Sequence, residues 1–326
     1  MEPHENKSNE TSSSSNGDMR SYSNWMEKLP NEKQLCPLNK ITVPGSHDSG
    51  AFWLDEDMGL APDRPKFVAN ISQKLGLLDS TIKSYVKKWA MTQSLNIAEQ
   101  LSAGVRYFDF RIAYRKESDE FRVVHSLYGS EVEGILEEIK VFLRENSKEV
   151  VLLDFNHLYD MEVEEHLRLG SLINQCFGQM LHSPRKDLSI ASLQELWLAG
   201  EQVIVFYHNK DVIEMFPSFF GNASISSDWP NTDDLNKLTH HVSSQGLASK
   251  AANLFHVTQA IATPQPSTIF RNLWGSLKSS LSCKTNENVN SLLESNHNNY
   301  SFNVILVDHV AFDDLMSNII SYNYIY

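Results

Sequence analysis

Two histidines, an arginine and two aspartates stand where short apolar segments of the sequence end. His47 and Asp48 follow an apolar run and a Pro-Gly turn, and Arg111 lies in a second run. His125 and Asp308 each close a further one. Near neutral pH one histidine can accept a proton and another can donate one, while arginine matches phosphate oxygens with a planar, permanent charge. The set suits general acid–base attack on a phosphodiester.

The elements that must position these residues are apolar segments with polar residues near their ends. They lie at 41–43, 105–111, 121–125, 150–156, 203–208 and 304–308. Such runs are typical of buried parallel strands, and a barrel of parallel strands gathers its strand ends at one rim, where an active site lies. The pattern therefore predicts that these residues meet at such a rim.

Further polar residues at the predicted rim are candidates for substrate binding: Asp109, Asp154, Asn156 and Tyr207. Asp109 and Arg111 are two residues apart in one strand, so their side chains point to the same face. An ion pair of Asp109 with Arg106 or Arg111 is the alternative for that carboxylate. For Asp308, capping of the strand end is the structural alternative to catalysis.

Amphipathic helices are predicted between the strands, because apolar residues recur there every three or four positions. They span 97–103, 132–144, 163–177, 193–198 and 312–322. Gly104 and Gly200 are expected to end two of them. Alternating strands and helices favour an α/β fold with a mainly parallel sheet. We predict a single-domain, distorted TIM-type (β/α) barrel, which at roughly 250 residues plus tails accounts for the chain.

Three parts of the chain are less regular. Residues 1–20 are poor in apolar side chains and are predicted to be a disordered tail, with the barrel domain over 21–326. Between 52 and 94 a helix is predicted around a break at Gly76, packed on the barrel or facing lipid. Its apolar stripe comprises Val68, Ile71, Leu75, Leu78, Ile82, Tyr85, Val86 and Trp89. Within 209–302, we expect a strand at 255–258 and a polar loop at 281–301.

Charge and cysteine content narrow the class of protein. A net charge of −13 without a Lys/Arg-rich block argues against nucleic-acid binding and permanent attachment to anionic membranes. Cys36, Cys176 and Cys283 form neither a disulfide framework nor a metal-binding pattern, which favours a reducing compartment. With no signal peptide and no run of ~18 apolar residues, the predicted location is the cytoplasm.

Five motifs, in this order, resemble the phosphatidylinositol-specific phospholipase C X-domain proteins. They are ITVPGSHDSG at 41–50, GVRYFDFR at 104–111, VVHSLYG at 123–129, EVVLLDFNH at 149–157 and VILVD at 304–308. More narrowly, the chain resembles the small animal X-domain-only group, which lacks the PH, EF-hand, Y and C2 parts of the signalling enzymes. The resemblance runs from about Trp25 to Tyr324.

The resemblance implies a role for each catalytic candidate. His47 is the expected general base for the inositol 2-hydroxyl, and Asp308 orients it. His125 is the expected general acid for the departing diacylglycerol oxygen. Arg111 stabilises the phosphate, and Asp48 supports Arg111 or the leaving-group side. The implied product is inositol 1,2-cyclic phosphate, which water can open in a second step with the same two histidines.

The resemblance also bears on metal use. In the large eukaryotic enzymes two carboxylates of this strand bind Ca²⁺, whereas in bacterial enzymes an arginine takes the second place. The D-F-R sequence at 109–111 follows the bacterial pattern, and Phe155 stands where a further carboxylate is expected. Because Ca²⁺ needs about six to eight oxygen ligands, we predict catalysis without Ca²⁺ or another cofactor.

The expected partner is a membrane phospholipid, reached by transient membrane-surface contact through apolar rim residues such as Phe52, Trp53 and Trp89. We expect neither nucleic acid nor an obligate protein partner. Bacterial members hold the inositol ring with a lysine and an arginine on the middle strands, and this chain has neither there. The same strand ends carry Asp154, Asn156, His157, Tyr207 and His208. The preferred head group therefore stays open.

Two other functions compete with phosphatidylinositol cleavage. One is an inositol-lipid-binding module that kept the fold and lost turnover, which loss of a histidine or of Arg111 would favour; all three are present. The other is a metal-dependent glycerophosphodiester or sphingolipid phosphodiesterase, whose metal needs a carboxylate pair where Arg111 stands. Alternatively, the first motif is an ordinary strand–loop junction with a surface His47 and a capping Asp48.

Overall fold

A computed structural model describes residues 22–65, 80–182, 190–251, 254–272, 274–295 and 299–324. The predicted tail at 1–20 lies outside the described residues. So does the first part of the predicted helical stripe, namely Val68, Ile71, Leu75, Gly76 and Leu78.

Eleven strands form one sheet in the described part of the chain. They are β1 (Val43–Ser46), β2 (Leu54–Leu60), β3 (Tyr107–Arg115), β4 (Glu120–His125), β5 (Leu127–Glu131), β6 (Val151–Tyr159), β7 (Val203–Tyr207), β8 (Phe219–Phe220), β9 (Ile225–Ser226), β10 (Phe255–Gln259) and β11 (Val304–Val307). Strands β1, β3, β6, β7 and β8 follow one another as parallel neighbours, and β9, β10 and β11 do the same.

The last strand pairs with the first in parallel, so the sheet curves into a barrel. Strands β8 and β9 are not hydrogen-bonded to each other, which leaves the wall open at that point. Strands β4, β5 and β2 extend from the far half of β3 as an antiparallel sheet. The structure thus has the expected TIM-like α/β architecture, with a sheet that is not closed.

Side chains alternate between two buried layers along the barrel strands, as the two-residue period of a strand requires. In β7, Ile204 and Phe206 belong to a cluster that takes residues from seven of the barrel strands and therefore fills the interior. Val205 and Tyr207 belong to the cluster that packs against the surrounding helices. Both faces of the strand are buried, which explains its continuous apolar sequence.

Eleven helices, with shorter turns, surround the strands in the described residues. They span Asn31–Leu35, Ser80–Ala90, Ile97–Ser102, Val132–Glu145, Val163–Phe177, Leu193–Ala199, Lys210–Met215, Leu235–Ala251, Pro266–Arg271, Cys283–Ser295 and Leu315–Ser321. The five helices predicted from periodicity all occur, with ends shifted by a few residues. Gly200 adopts a left-handed conformation after one of them, as its predicted capping role requires.

The structure corrects two predictions of local structure. Strand β4, which ends at His125, pairs antiparallel with β3, so this histidine does not come from a parallel barrel strand. The polar segment predicted as a loop at 281–301 forms a π-helical turn, Lys278–Ser282, that continues into the helix Cys283–Ser295. Val289 and Leu293 of this helix are buried, because a narrow apolar stripe suffices to pack it on the barrel.

In the 52–94 insertion, the described helix Ser80–Ala90 packs against β2 and β5 of the antiparallel extension. Val86, Trp89 and Ala90 of the helix Ser80–Ala90 are buried. Of the two alternatives for this helix, packing on the sheet therefore holds for its described residues.

A buried ion pair closes the floor of the barrel. Arg106 and Glu149 approach within 2.8 Å, and both side chains are almost fully buried. Arg106 also donates to the carbonyls of Tyr22 and Ser23, while Glu149 accepts from the backbone of Met26. The N-terminal segment from residue 22 onward is thereby fixed under the strands.

Candidate active site

The end of β1 brings the first histidine to the barrel rim. A Cβ on Gly45 would lie only 3.0–3.2 Å from side chains of Val304, Tyr107 and Leu306, so the close approach of three strands favours glycine there. The hydrogen-bond ladder between β1 and β11 extends to His47, because the His47 amide donates to the Val307 carbonyl at 3.0 Å.

His47 forms a dyad with the aspartate at the end of β11. Its Nδ1 lies 2.8 Å from Oδ1 of Asp308. A carboxylate accepts, so Nδ1 carries the proton and Nε2 points into the site. The second oxygen of Asp308 accepts from the Ser282 hydroxyl at 3.2 Å, and its carbonyl accepts from Asn286 at 2.8 Å. The helix that begins at Cys283 therefore fixes the orienting carboxylate.

Asp48 lies at the centre of the cluster. Its Oδ1 is 2.5 Å from Nε of Arg111, and its Oδ2 is 3.4 Å from Nε2 of His47 and 3.3 Å from Nε2 of His125. Asp48 has a φ of 40°, in the left-handed region, and its amide donates to Asp109 at 3.0 Å. One buried carboxylate thus contacts Arg111 and both histidines of the site.

His125 approaches from the antiparallel extension. Its Nδ1 lies 2.6 Å from the carbonyl of Ala90, which can only accept. Nδ1 therefore carries a proton, and Nε2 is the atom that faces Asp48. The rings of His47 and His125 are 6.3 Å apart between centroids. Both imidazoles thus present Nε2 to the same oxygen of Asp48.

The electrostatics of the cluster favour charged groups. Burial would lower the pKa of His47, but the negative charges of Asp48 and Asp308 outweigh it and raise that pKa to about 9. Burial would raise the pKa of Asp48, but the charges of Arg111 and the histidines lower it to about 2. The pKa of Arg111 lies above its ordinary value because the nearby carboxylates outweigh its burial.

A pocket of about 240 Å³ opens beside the two histidines. Its lining combines the catalytic candidates with an apolar wall; it includes Arg111, Asp63, Trp89, Trp229, Ile261 and Leu277. A larger groove of about 780 Å³ lies on the outer face of the helix Val163–Phe177. None of the residues of the histidine cluster lines it, so we take the smaller pocket as the active site.

The predicted substrate-binding residues separate into two groups. Asn156 donates to Asp109 at 2.7 Å and to Asp154 at 3.1 Å, and Asp154 lies 3.0 Å from Nε2 of His208. These four residues form a polar network that reaches Asp48 through Asp109. Asp109 therefore pairs with neither arginine by a direct contact among the described interactions.

Tyr207 is placed elsewhere, which corrects its prediction as a pocket residue. It is fully buried among the outer layer of apolar side chains, stacked on Phe155 and Phe219, and its hydroxyl lies 3.1 Å from Nδ1 of His166. The physical reason is strand parity, since Tyr207 alternates with the inward-facing Phe206 and His208.

The residues that best resemble a metal site do not fit Ca²⁺. His47, Asp48 and Asp109 offer atoms within 4.8 Å of one another. However, Arg111 already pairs with one oxygen of Asp48, and both oxygens of Asp109 accept from N–H groups. A cation that requires about six to eight oxygens would have to displace a guanidinium that has no other described carboxylate partner.

Sequence reasoning missed several polar residues that hold the site together. Gln93 donates to the carbonyl of His47 at 2.9 Å and accepts from the amide of Val310 at 3.2 Å. Thr92 donates to the carbonyl of Asp48 at 3.0 Å. No local signal marks these residues, because they act through partners far along the chain.

Similarity to known proteins extends over most of the chain. Residues 77–209 match the family model described as phosphatidylinositol-specific phospholipase C, X domain. The chain is 32% identical to PI-PLC X domain-containing protein 3 of Homo sapiens over 93% of this chain and 94% of that protein. It is 33% identical to PI-PLC X domain-containing protein 2 of Mus musculus, over 92% of this chain and 87% of that one.

Solved structures with the same fold include two bacterial enzymes. Phosphatidylinositol-specific phospholipase C from Listeria monocytogenes has a TM-score of 0.66 at 17% identity, covering 93% of this chain and 98% of that one. The Staphylococcus aureus enzyme has a TM-score of 0.66 at 20% identity, covering 94% and 98%. On the strength of the sequence relatives, the chain belongs to the family of PI-PLC X domain-containing proteins.

Proposed function

We propose that this protein is a phosphodiesterase that cleaves phosphatidylinositol-type lipids to diacylglycerol and an inositol phosphate. The observation that carries the proposal is the placement of two histidines, 6.3 Å apart between ring centroids, whose Nε2 atoms both lie within 3.4 Å of the carboxylate that pairs with Arg111. A phosphate over Arg111 would have a base on one side and an acid on the other.

The reaction begins at the dyad. Nε2 of neutral His47 takes the proton of the inositol 2-hydroxyl, and Asp308 stabilises the imidazolium that forms. The hydroxyl oxygen bonds to phosphorus while the bond from phosphorus to the glycerol oxygen breaks. His125 gives its Nε2 proton to that departing oxygen. The products are diacylglycerol and inositol 1,2-cyclic phosphate, which water opens when the histidines exchange roles.

Arg111 supplies the charge stabilisation in this proposal. Its guanidinium contacts Asp48 and lies 3.2 Å from Nε2 of His47, so a phosphate beside this histidine would be within its reach. A planar cation matched to phosphate oxygens does there what a bound cation does in other phosphodiesterases. We therefore propose catalysis without Ca²⁺ or another cofactor.

The deciding experiment is cleavage of phosphatidylinositol vesicles in excess EDTA, followed by phosphorus NMR. We expect the five-membered cyclic phosphate signal with the wild-type protein and its loss with His47→Ala. Restoration of wild-type activity only by added Ca²⁺ would refute the proposed role of Arg111. If the protein binds the vesicles without cleaving them under either condition, the non-catalytic lipid-binding module becomes the better description.

We propose that the rim around the pocket makes transient contact with the lipid surface. Trp53 is 45% exposed, as this contact requires, whereas Trp89 is only 7% exposed and lines the pocket. Trp274 and Phe270 are 97% and 63% exposed and lie within a few residues of the pocket-lining Leu277 and Ile269. They replace Trp89 in the proposed surface, because aromatic rings prefer the membrane interface.

Vesicle flotation tests this surface. Trp53→Ala combined with Trp274→Ala is expected to reduce binding to phosphatidylinositol vesicles several-fold, whereas the buried Trp89 offers no such contact. Unchanged binding by the double variant would contradict the proposal.

We also propose that the protein acts in the cytoplasm, peripheral to membranes. All three cysteines are free, which suits a reducing compartment. Among the described residues, no helix has both the length and the apolar character that crossing a bilayer demands. Fractionation that recovers the tagged protein within a sealed secretory compartment would contradict this location.

A further inference from the structure

The carboxylate of Asp63, which has no role in the proposed reaction steps, accepts from the backbone next to His125, the proposed general acid. Both oxygens of Asp63 lie 2.9 Å from the amide of Ser126, the residue that follows His125. The neighbouring amide of Ala61 donates to the Ser126 carbonyl at 2.9 Å. The segment after β2 thus holds both backbone groups of Ser126, although the two partners of the carboxylate contact are 63 residues apart.

Ser126, the residue that donates to Asp63, has a strained backbone conformation. Ser126 has a φ of 63°, in the left-handed region that an L side chain rarely adopts. It forms the single-residue bend between β4 and β5, immediately after His125. Such a conformation persists only when its surroundings hold it. Release of this bend would turn the backbone that carries the imidazole.

Asp63 also contributes charge to the same space. It lines the pocket together with His125 and Arg111. The charged and titratable groups that act on it are His125, Asp48, Arg111 and Tyr159, from β4, the β1 loop, β3 and β6. Asp48 faces Nε2 of the same imidazole at 3.3 Å. His125 therefore has two carboxylates near it, Asp48 and Asp63. Of the two, only Asp48 also contacts Arg111 and His47.

We propose that Asp63 is a positioning residue for the general acid. It holds the Ser126 bend so that Nε2 of His125 stays aimed at the leaving oxygen, and its negative charge favours the protonated imidazole. This inference rests on the proposed function, because it assigns Asp63 to the leaving-group step of that reaction and to no other.

Leaving-group dependence tests the inference. Diacylglycerol is a poor leaving group that needs a proton, whereas nitrophenolate is a weak base that leaves without one. We expect Asp63→Asn, which keeps one acceptor and removes the charge, to lower kcat about tenfold on phosphatidylinositol in detergent micelles. Asp63→Ala should lower it further. On inositol 1-(4-nitrophenyl phosphate) both variants should stay within about twofold of wild type.

The matched control is Asp57→Asn, an exposed aspartate of β2 that should leave both rates unchanged. An equal loss on both substrates would overturn the inference, since it would mean general damage to the site. No loss on the lipid would overturn it as well. Cleavage of neither substrate by the wild-type protein is a different failure, because it removes the proposed function.

A second measurement does not depend on turnover. Side-chain ¹⁵N NMR of the histidines follows the protonation of each imidazole as the pH changes. With Asp63→Asn we expect the His125 titration to move to lower pH, because an anion near the imidazolium is lost, while that of the distant His182 does not move. An unshifted His125 titration would overturn the electrostatic part of the inference even for an inactive protein.

Discussion

At the scale of single residues, Asp48 links Arg111 and the two histidines on which the proposed chemistry depends. It is buried, paired with Arg111, and close to Nε2 of both histidines. The same charge that orders the site raises the pKa of His47 to about 9. A general base acts only after it loses its proton, so the free protein holds its base largely protonated at neutral pH.

The pH profile follows from this pKa. A raised pKa means that the fraction of neutral His47 increases as the pH rises toward about 9, so kcat/KM should increase with pH for as long as His125 stays protonated. Asp48→Asn removes the largest charge that stabilises the imidazolium. We expect the acidic limb of the kcat/KM profile to move to lower pH by about one unit or more. We also expect kcat to fall by roughly 10-fold or more, because Arg111 loses its partner.

The measurement is kcat/KM on micellar phosphatidylinositol between pH 5 and 10, with Asp57→Asn as the control. An acidic limb that keeps its midpoint in Asp48→Asn would show that another group sets the ionisation of the base.

At the scale of elements, the helix Cys283–Ser295 and the turn before it act as a support for the catalytic dyad. Asn286 is fully buried and donates to the carbonyl of Asp308 at 2.8 Å, while Ser282 donates to its carboxylate. The apolar residues of this helix pack it on the barrel, so its polar residues are held at a defined distance from β11. Orientation of the base therefore depends on an element about twenty residues upstream of its partner aspartate.

Asn286→Ala should affect both stability and activity. Loss of the buried amide leaves the Asp308 carbonyl without this donor, which costs about 1–3 kcal/mol of unfolding free energy. Because Asp308 orients His47, we expect kcat to fall about tenfold with little change in KM. Urea unfolding and steady-state kinetics measure the two effects.

Asn288→Ala is the matched control, an exposed asparagine on the same helix. We expect it to leave both quantities nearly unchanged. A stability loss in Asn286→Ala without a change in kcat would mean that the helix does not orient the dyad.

At the scale of the whole molecule, the two ends of the barrel use charge differently. The rim holds a solvent-accessible cluster that suits chemistry, whereas the floor holds the Arg106–Glu149 pair and the N-terminal segment. Burial raises the pKa of Glu149 and lowers the pKa of Arg106 despite their contact, so desolvation outweighs the pairing for each group. Burial of such an ion pair carries a desolvation penalty, and removal of one partner lowers the free energy of unfolding even more.

Arg106→Met should destabilise the fold strongly. It leaves Glu149 buried without its guanidinium and removes the donors to the carbonyls of Tyr22 and Ser23, so we expect a loss of about 3–5 kcal/mol of unfolding free energy. Lys148→Met is the control, because the neighbouring Lys148–Glu27 pair is half exposed and should contribute less than about 1 kcal/mol. Denaturant unfolding of both variants measures the difference, and equal losses would contradict this account.

Much of the architecture could be predicted because it depends on sequence patterns that extend over only a few residues. Apolar runs predicted six of the barrel strands but not the two-residue strands β8 and β9, and three- and four-residue spacing predicted five of the helices. Strand parity is also local, and it correctly placed Asp109 and Arg111 on one face, where both contact Asp48. The same parity, applied to the run from Val203 to His208, would have placed Tyr207 on the outer face, so that error had an available signal.

Other features were decided by contacts between distant parts of the chain. The segments that meet in three dimensions determine three features of the site. These are the antiparallel pairing of β4, the support of Asp308 by a helix, and the hydrogen bond that Asp63 accepts from Ser126. The sequence by itself determined which residue types stand at strand ends, because periodicity and turn residues act over a few positions. Only the tertiary structure decided which of those side chains share one charged cluster, because a carboxylate changes a histidine's pKa through space and not along the chain.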